Sequence, residues 1–175
     1  MRRIFFAFLL TFILFVGPVQ ADDDPKNIAG YGKTVWGMSE DEVLTAESPR
    51  VEKLDKPEKF TIGIATLSIK EIQIGVAKFR VLFIFNQNDM KLKQVILTSF
   101  EKNNPGINSN TFSSIEKLLI EKYGAPTYKE ERRNASWKLQ KTVIDLTHAN
   151  ISGIMTQVIV AYKPVESSVD ASKNL

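Results

Sequence analysis

The chain has 175 residues, 43% of them hydrophobic and 25% charged, with no cysteine. That is enough apolar material for one domain or two small repeats, and it excludes disulfides, thiol chemistry, thiolate metal sites and lipidation on cysteine. Lysine and arginine number 23 against 20 acids; without Arg2 and Arg3 the balance is 21 against 20, which excludes the basic excess of a dedicated nucleic-acid binder.

Met1 is followed by Arg2-Arg3, a greasy run from Ile4 to Val16, the helix breakers Gly17-Pro18, and the small-residue exit Val19-Gln20-Ala21. Charge, apolar stretch and cleavage site in that order are the parts of a secretory signal peptide. The apolar run is too short to cross a ~30 Å hydrocarbon core as a helix. Residues 1–21 are therefore expected to be removed. The mature chain then begins at Asp22 with no transmembrane span. A disulfide-free exported domain held by its apolar core suits a bacterial periplasm.

Residues 22–35 are polar at first and are expected to be a flexible lead-in. Met38-Ser39-Glu40-Asp41-Glu42-Val43 marks a helix start. Ser39 is placed as N-cap and Glu42 at N3, a capping box, with Met38 and Val43 at the staple positions. Pro49 ends this helix, and Arg50 to Lys59 reads as a charged loop. Phe60–Ile69, Ile72–Phe85 and Leu92–Phe100, rich in Ile, Val, Phe and Thr, are expected strands. Lys70-Glu71 and Asn86-Gln87-Asn88-Asp89 separate them as turns.

Asn103-Asn104-Pro105-Gly106 is a loop signal. A second helix is expected over Asn110–Tyr123, with Phe112, Ile115, Leu118 and Leu119 on its apolar stripe, Tyr123 a candidate to extend it, and Gly124 closing it. Strands follow at Tyr128–Arg132, Ser136–Thr147 and Met155–Tyr162. Helix then three strands thus occurs twice. Leu92–Leu97 matches Met155–Val160 through a shared Gln-Val-Ile, and Val81–Ile84 can be laid over Val143–Leu146. The expected fold is α+β: a tandem repeat of a helix plus a three-to-four-stranded antiparallel sheet, helices packed on one sheet face. The first repeat would span residues 36–103 and the second 104–165, with a flexible tail at 166–175.

Trp36-Gly37-Met38-Ser39 opens a short helix. Phe83-Ile84-Phe85 ends a strand, and Leu92–Leu97 begins the next. Lys122-Tyr123-Gly124-Ala125-Pro126 ends the second helix, and Trp137 precedes Thr142-Val143-Ile144. This pattern resembles exported bacterial proteins of the β-lactamase-inhibitor-protein-like fold. It is also similar to the small lipoprotein of the outer-membrane β-barrel assembly machine, whose lipidated cysteine has no counterpart here. The resemblance implies an α–β repeat with a curved antiparallel sheet, helices on one face and a protein-binding surface on the other.

No nucleophile elbow, phosphate loop or dinucleotide fingerprint is present, and no cofactor is expected. His148, the only histidine, reads as a solvated strand-end residue. Trp36 and Trp137 read as seals at the ends of a core, or as stacking platforms. In Phe79–Phe85, alternation divides Phe79, Val81, Phe83 and Phe85 from Arg80, Leu82 and Ile84. If both repeats bury equivalent faces, Leu82, Ile84, Ile144 and Leu146 point at the helices. Phe79, Phe83, Phe85, Ile96 and Phe100 are then the candidate partner-binding residues on an open face. The competing arrangement buries this strand on both faces, under the Tyr31–Trp36 segment. The favoured function is a non-catalytic periplasmic module that binds a protein partner in the cell envelope. The alternatives are a binder of a small apolar ligand or lipid, and more distantly a hydrolase.

Overall fold

The computed structural model describes residues 24–151 and 154–166. The expected signal peptide, residues 22 and 23, and tail residues 167–175 lie outside them.

Helix α1 (Glu40–Glu47) begins as its sequence dictates. The Ser39 side chain accepts from the Glu42 amide, and the Glu42 carboxylate accepts from the Ser39 amide at 2.7 Å. That backbone bond holds the Glu42 carboxyl below the usual carboxylate range. Glu40, Asp41 and Glu42 also place negative charge where the helix dipole favours it. Ser39→Ala is expected to cost roughly 0.5–2 kcal/mol, read as a lowered midpoint in chemical denaturation with unchanged slope.

Strand β1 (Glu52–Phe60) occupies the stretch expected to be a charged loop. It is an edge strand, so its charges face water and its composition hides the strand. Its register with β2 (Gly63–Ile74) shifts between Lys53 and Glu58, the interval that holds Pro57. Lys70-Glu71 is not a turn either. It falls in a second register shift, between Ile69 and Ile72, and β2 runs on to Ile74. The chain reverses at Gly75-Val76, where Gly75 supplies a φ of 61°. Strands β3 (Ala77–Phe85) and β4 (Leu92–Ser99) complete a meander.

Helix α2 (Pro105–Tyr123) starts five residues before the expected Asn110. Asn104, read as loop, is its N-cap: the side chain accepts from the Ile107 amide at 3.1 Å. Pro105, read as part of the same loop, sits in the first turn, where its missing N–H costs nothing. Phe112, Ile115, Leu119 and Tyr123 are buried, whereas Leu118 is exposed. Strands β5 (Tyr128–Glu130), β6 (Asn134–Lys138), β7 (Thr142–Ile151) and β8 (Met155–Pro164) follow. The single strand expected over Ser136–Thr147 is divided by a turn closed by Leu139 N–H donating to Thr142 O at 2.9 Å.

The expected tandem repeat of helix plus small sheet, also implied by the resemblance, is corrected by the topology. All eight strands form one antiparallel sheet in the order β1-β2-β3-β4-β8-β7-β6-β5, and the described residues hold two α-helices. The join is β4 to β8, with Val95 opposite Tyr162 and Leu97 opposite Val160. Both strands are mainly apolar where they pair, Val95, Ile96 and Leu97 lying against Tyr162, Ala161 and Val160. Left as edges of separate sheets they would be open templates for aggregation, and pairing them removes both edges. Alternation reports which face a residue occupies but says nothing about which strand lies beside it.

The faces also come out reversed at β3. Phe79, Val81, Phe83 and Phe85 have no exposed area and pack in the main core with Val43 of α1 and Phe112, Ile115 and Leu119 of α2. Leu82 and Ile84 lie on the other face with Ala65, where Leu54, Phe60 and Ile96 pack over them. Ile144 and Leu146 do join the main core. Laying Val81–Ile84 over Val143–Leu146 is therefore one residue out, and a shift of one exchanges the two faces. Strand β3 is buried on both sides from Val81 to Phe85.

Candidate functional site

Of the five candidate residues, three are not at the surface. Phe79, Phe83 and Phe85 are fully buried, so they form no docking patch. Ile96 is half-buried and Phe100, just past β4, is 51% exposed. Alternation along β4 puts Ile96 and Thr98 opposite the core residues Val95 and Leu97. These two lead onto the sheet face that carries no helix.

That face can be read across the strands from the register. Leu82, Ile96, Ala161, Asp145 and Ser136 are successive partners over β3, β4, β8, β7 and β6. Arg80, Thr98, Ile159, Thr147 and Asn134 form the next row. Ile96, Thr98, Ile159, Ala161 and Thr147 are all half-buried. Arg80 and Asp145, the charged members of these two rows, are both paired. Arg80 Nη2 lies 2.7 Å from Glu58, and Lys163 Nζ lies 2.8 Å from Asp145. Asp145 also accepts from Ser136 Oγ at 2.7 Å. Small, branched, neutral side chains framed by paired charges make a surface of low desolvation cost. The contributions of Ile159, Ala161 and Thr147 were present in the alternation of β7 and β8, but only the β4–β8 pairing places them beside Ile96.

The two sheet edges do not offer another binding mode. β1 carries charges, Pro57 and an irregular register, and β5 is three residues long. Neither suits addition of a foreign strand.

Over Phe83, the space between the sheet and the N-terminal segment is filled by the Tyr31 side chain. Tyr31 lies edge-on to Phe83 at 6.4 Å and 5.2 Å from the Tyr162 ring. The tryptophans have structural partners. Trp137 is buried and its Nε1–H donates to Gly124 O at 2.8 Å; Trp36 Nε1–H donates to Thr142 Oγ1 at 2.9 Å. A buried tryptophan needs such a partner for its one polar atom.

His148 is half-buried rather than solvated. Its Nε2 lies 3.0 Å from Thr156 Oγ1, and its ring is 6.4 Å from Phe112. Thr156 belongs to a buried polar set that knits β4, α2 and β8 together. The Asn108 side-chain amide donates to Glu101 O and Thr156 O at 3.1 and 3.0 Å, and Ser99 Oγ accepts from Val158 N–H at 2.9 Å. Each member has partners, which makes the set a structural tie. Among the described residues no three His, Asp or Glu side chains are grouped to hold a metal ion, and no helix is long and apolar enough to cross a membrane.

Comparison of the chain with protein-family models, with curated proteins and with solved structures gave no match in any of the three.

Proposed function

We propose that the mature protein is an exported, non-catalytic periplasmic module that binds another protein through its helix-free sheet face. Export rests on the N-terminal order of Arg2-Arg3, apolar run and Val19-Gln20-Ala21. The binding role rests on one observation: a neutral, half-exposed strip of Ile96, Thr98, Ile159, Ala161 and Thr147, flanked by Arg80 and Asp145, each already paired. A centre depleted in charge and a polar rim is the anatomy of a protein interface. An anionic membrane or nucleic acid would call for unpaired cations there. The partner this surface fits is a folded protein presenting a flat apolar patch.

Site-specific photo-crosslinking in cells tests the reading. A crosslinking residue at Thr98 and another at Thr147 are expected to trap the same partner. The same probe at Leu118, exposed on α2, traps none. Ile159→Asp is expected to abolish the Thr98 crosslink by putting a charge into the interface, while costing only about 1 kcal/mol of stability. A partner trapped equally well from Leu118, or a crosslink that survives Ile159→Asp, would overturn it.

A further inference from the structure

On the opposite side of the sheet, residues 26–36 form a strap. Gln140 N–H donates to Lys26 O at 3.2 Å. The buried Thr142 hydroxyl donates to Ile28 O at 2.7 Å and accepts from Trp36 Nε1. Trp36 N–H donates to Ala29 O at 2.8 Å, closing the strap on itself with Tyr31 near its tip. Under this tip opens a cavity of about 370 Å³, walled by Tyr31, Tyr123, Tyr162, Arg50 and Lys122 and by the strap backbone.

The lining has a one-sided chemistry. No acidic side chain is among the lining residues. The nearby Glu47 is fully buried behind the wall and already satisfied, by Lys33 N–H at 2.7 Å and Arg50 Nε–H at 2.6 Å. That bond also fixes the guanidinium, which still has N–H groups to offer. Lys122 has no carboxylate within ion-pair distance among the described residues; its ammonium lies 5.2 Å from the Tyr123 ring. Burial raises the pKa of the Tyr31 and Tyr162 phenols, so both keep their protons at neutral pH and can donate. Two cations and three phenols, two of them, Tyr123 and Tyr162, bonded to each other, line the cavity with no carboxylate among them. The aromatic walls suit a compact body behind the charged group, and the volume is within the range of small-ligand sites.

We infer that this cavity is a binding site for a small organic anion, with a carboxylate or phosphate group held by Arg50 and Lys122 and its body against the tyrosines. A carboxylate and a phosphate ester share the oxygen chemistry that a guanidinium reads. The site lies across the sheet from Ile96 and Ile159, so its failure and the failure of the protein-binding face are separate results.

Titration of the labelled mature protein with 4-hydroxybenzoate, with phenyl phosphate and with neutral benzamide, followed by amide chemical shifts, decides it. At least one anion is expected to give saturable shifts at Gly30, Gly32 and Tyr123, and benzamide to bind at least tenfold more weakly. Lys122→Gln is expected to weaken the anion at least fivefold, and Lys117→Gln, farther back on α2, to leave it unchanged. Lys122 is exposed, so neither variant threatens the fold. Absence of saturation by either anion below roughly 10 mM, equal binding of benzamide, or indifference to Lys122→Gln would each overturn the site.

Discussion

Phe83→Asp is expected to abolish folding. Phe83 has no exposed area, lies on the central strand β3 and meets Tyr31 of the strap edge-on. Truncating a buried phenylalanine costs about 3–5 kcal/mol through lost transfer energy and the cavity left behind. A carboxyl placed there without a partner adds several kcal/mol more, whether it stays charged or takes up a proton. Their sum meets or exceeds the 5–15 kcal/mol that holds a typical domain together. Ile84→Ala, on the other face under Leu54 and Phe60, is expected to cost about 2–5 kcal/mol and leave a cooperative transition. Circular dichroism through a urea titration separates the two. A Phe83→Asp protein that unfolds cooperatively near the native midpoint would mean that Phe83 can reach water, contrary to its position beneath the strap.

What could be read in the sequence depended on how local the determining physics is. The capping box at Ser39 and Glu42 and the stop at Gly124 are set by neighbours a few residues apart, and both are found where expected. Local signals with two meanings misled. Asn104-Pro105 marks a loop or the first turn of a helix, and only burial of Asn108 and Thr111 decides for the helix. Lys70-Glu71 marks a turn or a bulge, and the long pairing of β2 with β3 decides for the bulge. The candidate site depended on long-range facts. Whether Phe83 faces inward follows from register, and the neighbours of Ile96 follow from the β4–β8 pairing, between strands some 60 residues apart. Two of the five candidate residues reached the surface; burial of the other three on a strand covered on both faces is the competing arrangement, between which and the open face alternation alone does not choose.

Arg50→Ala is expected to be the most destabilising change at any charged side chain. Glu47 closes α1 with a fully buried side chain, and Arg50 is its only cationic partner among the described residues. Removing the guanidinium leaves a carboxylate, fully buried in the native fold, held by one backbone N–H, from Lys33. Stranding a buried charge in this way costs about 3–5 kcal/mol. The lower end applies here, because Arg50 is 46% exposed and its own desolvation is slight. The cost belongs to the uncompensated charge rather than to the pair. Removing both charges, in Glu47→Leu with Arg50→Ala, is therefore expected to recover most of the loss. Gly32 makes this corner sensitive to backbone change too, since a Cβ there would run into the Glu47 carboxylate at a φ of 60°. A double-mutant cycle by urea denaturation measures the coupling. Additive losses, with the double variant less stable than Arg50→Ala, would show that Glu47 serves the fold through packing and that its charge is not what Arg50 answers.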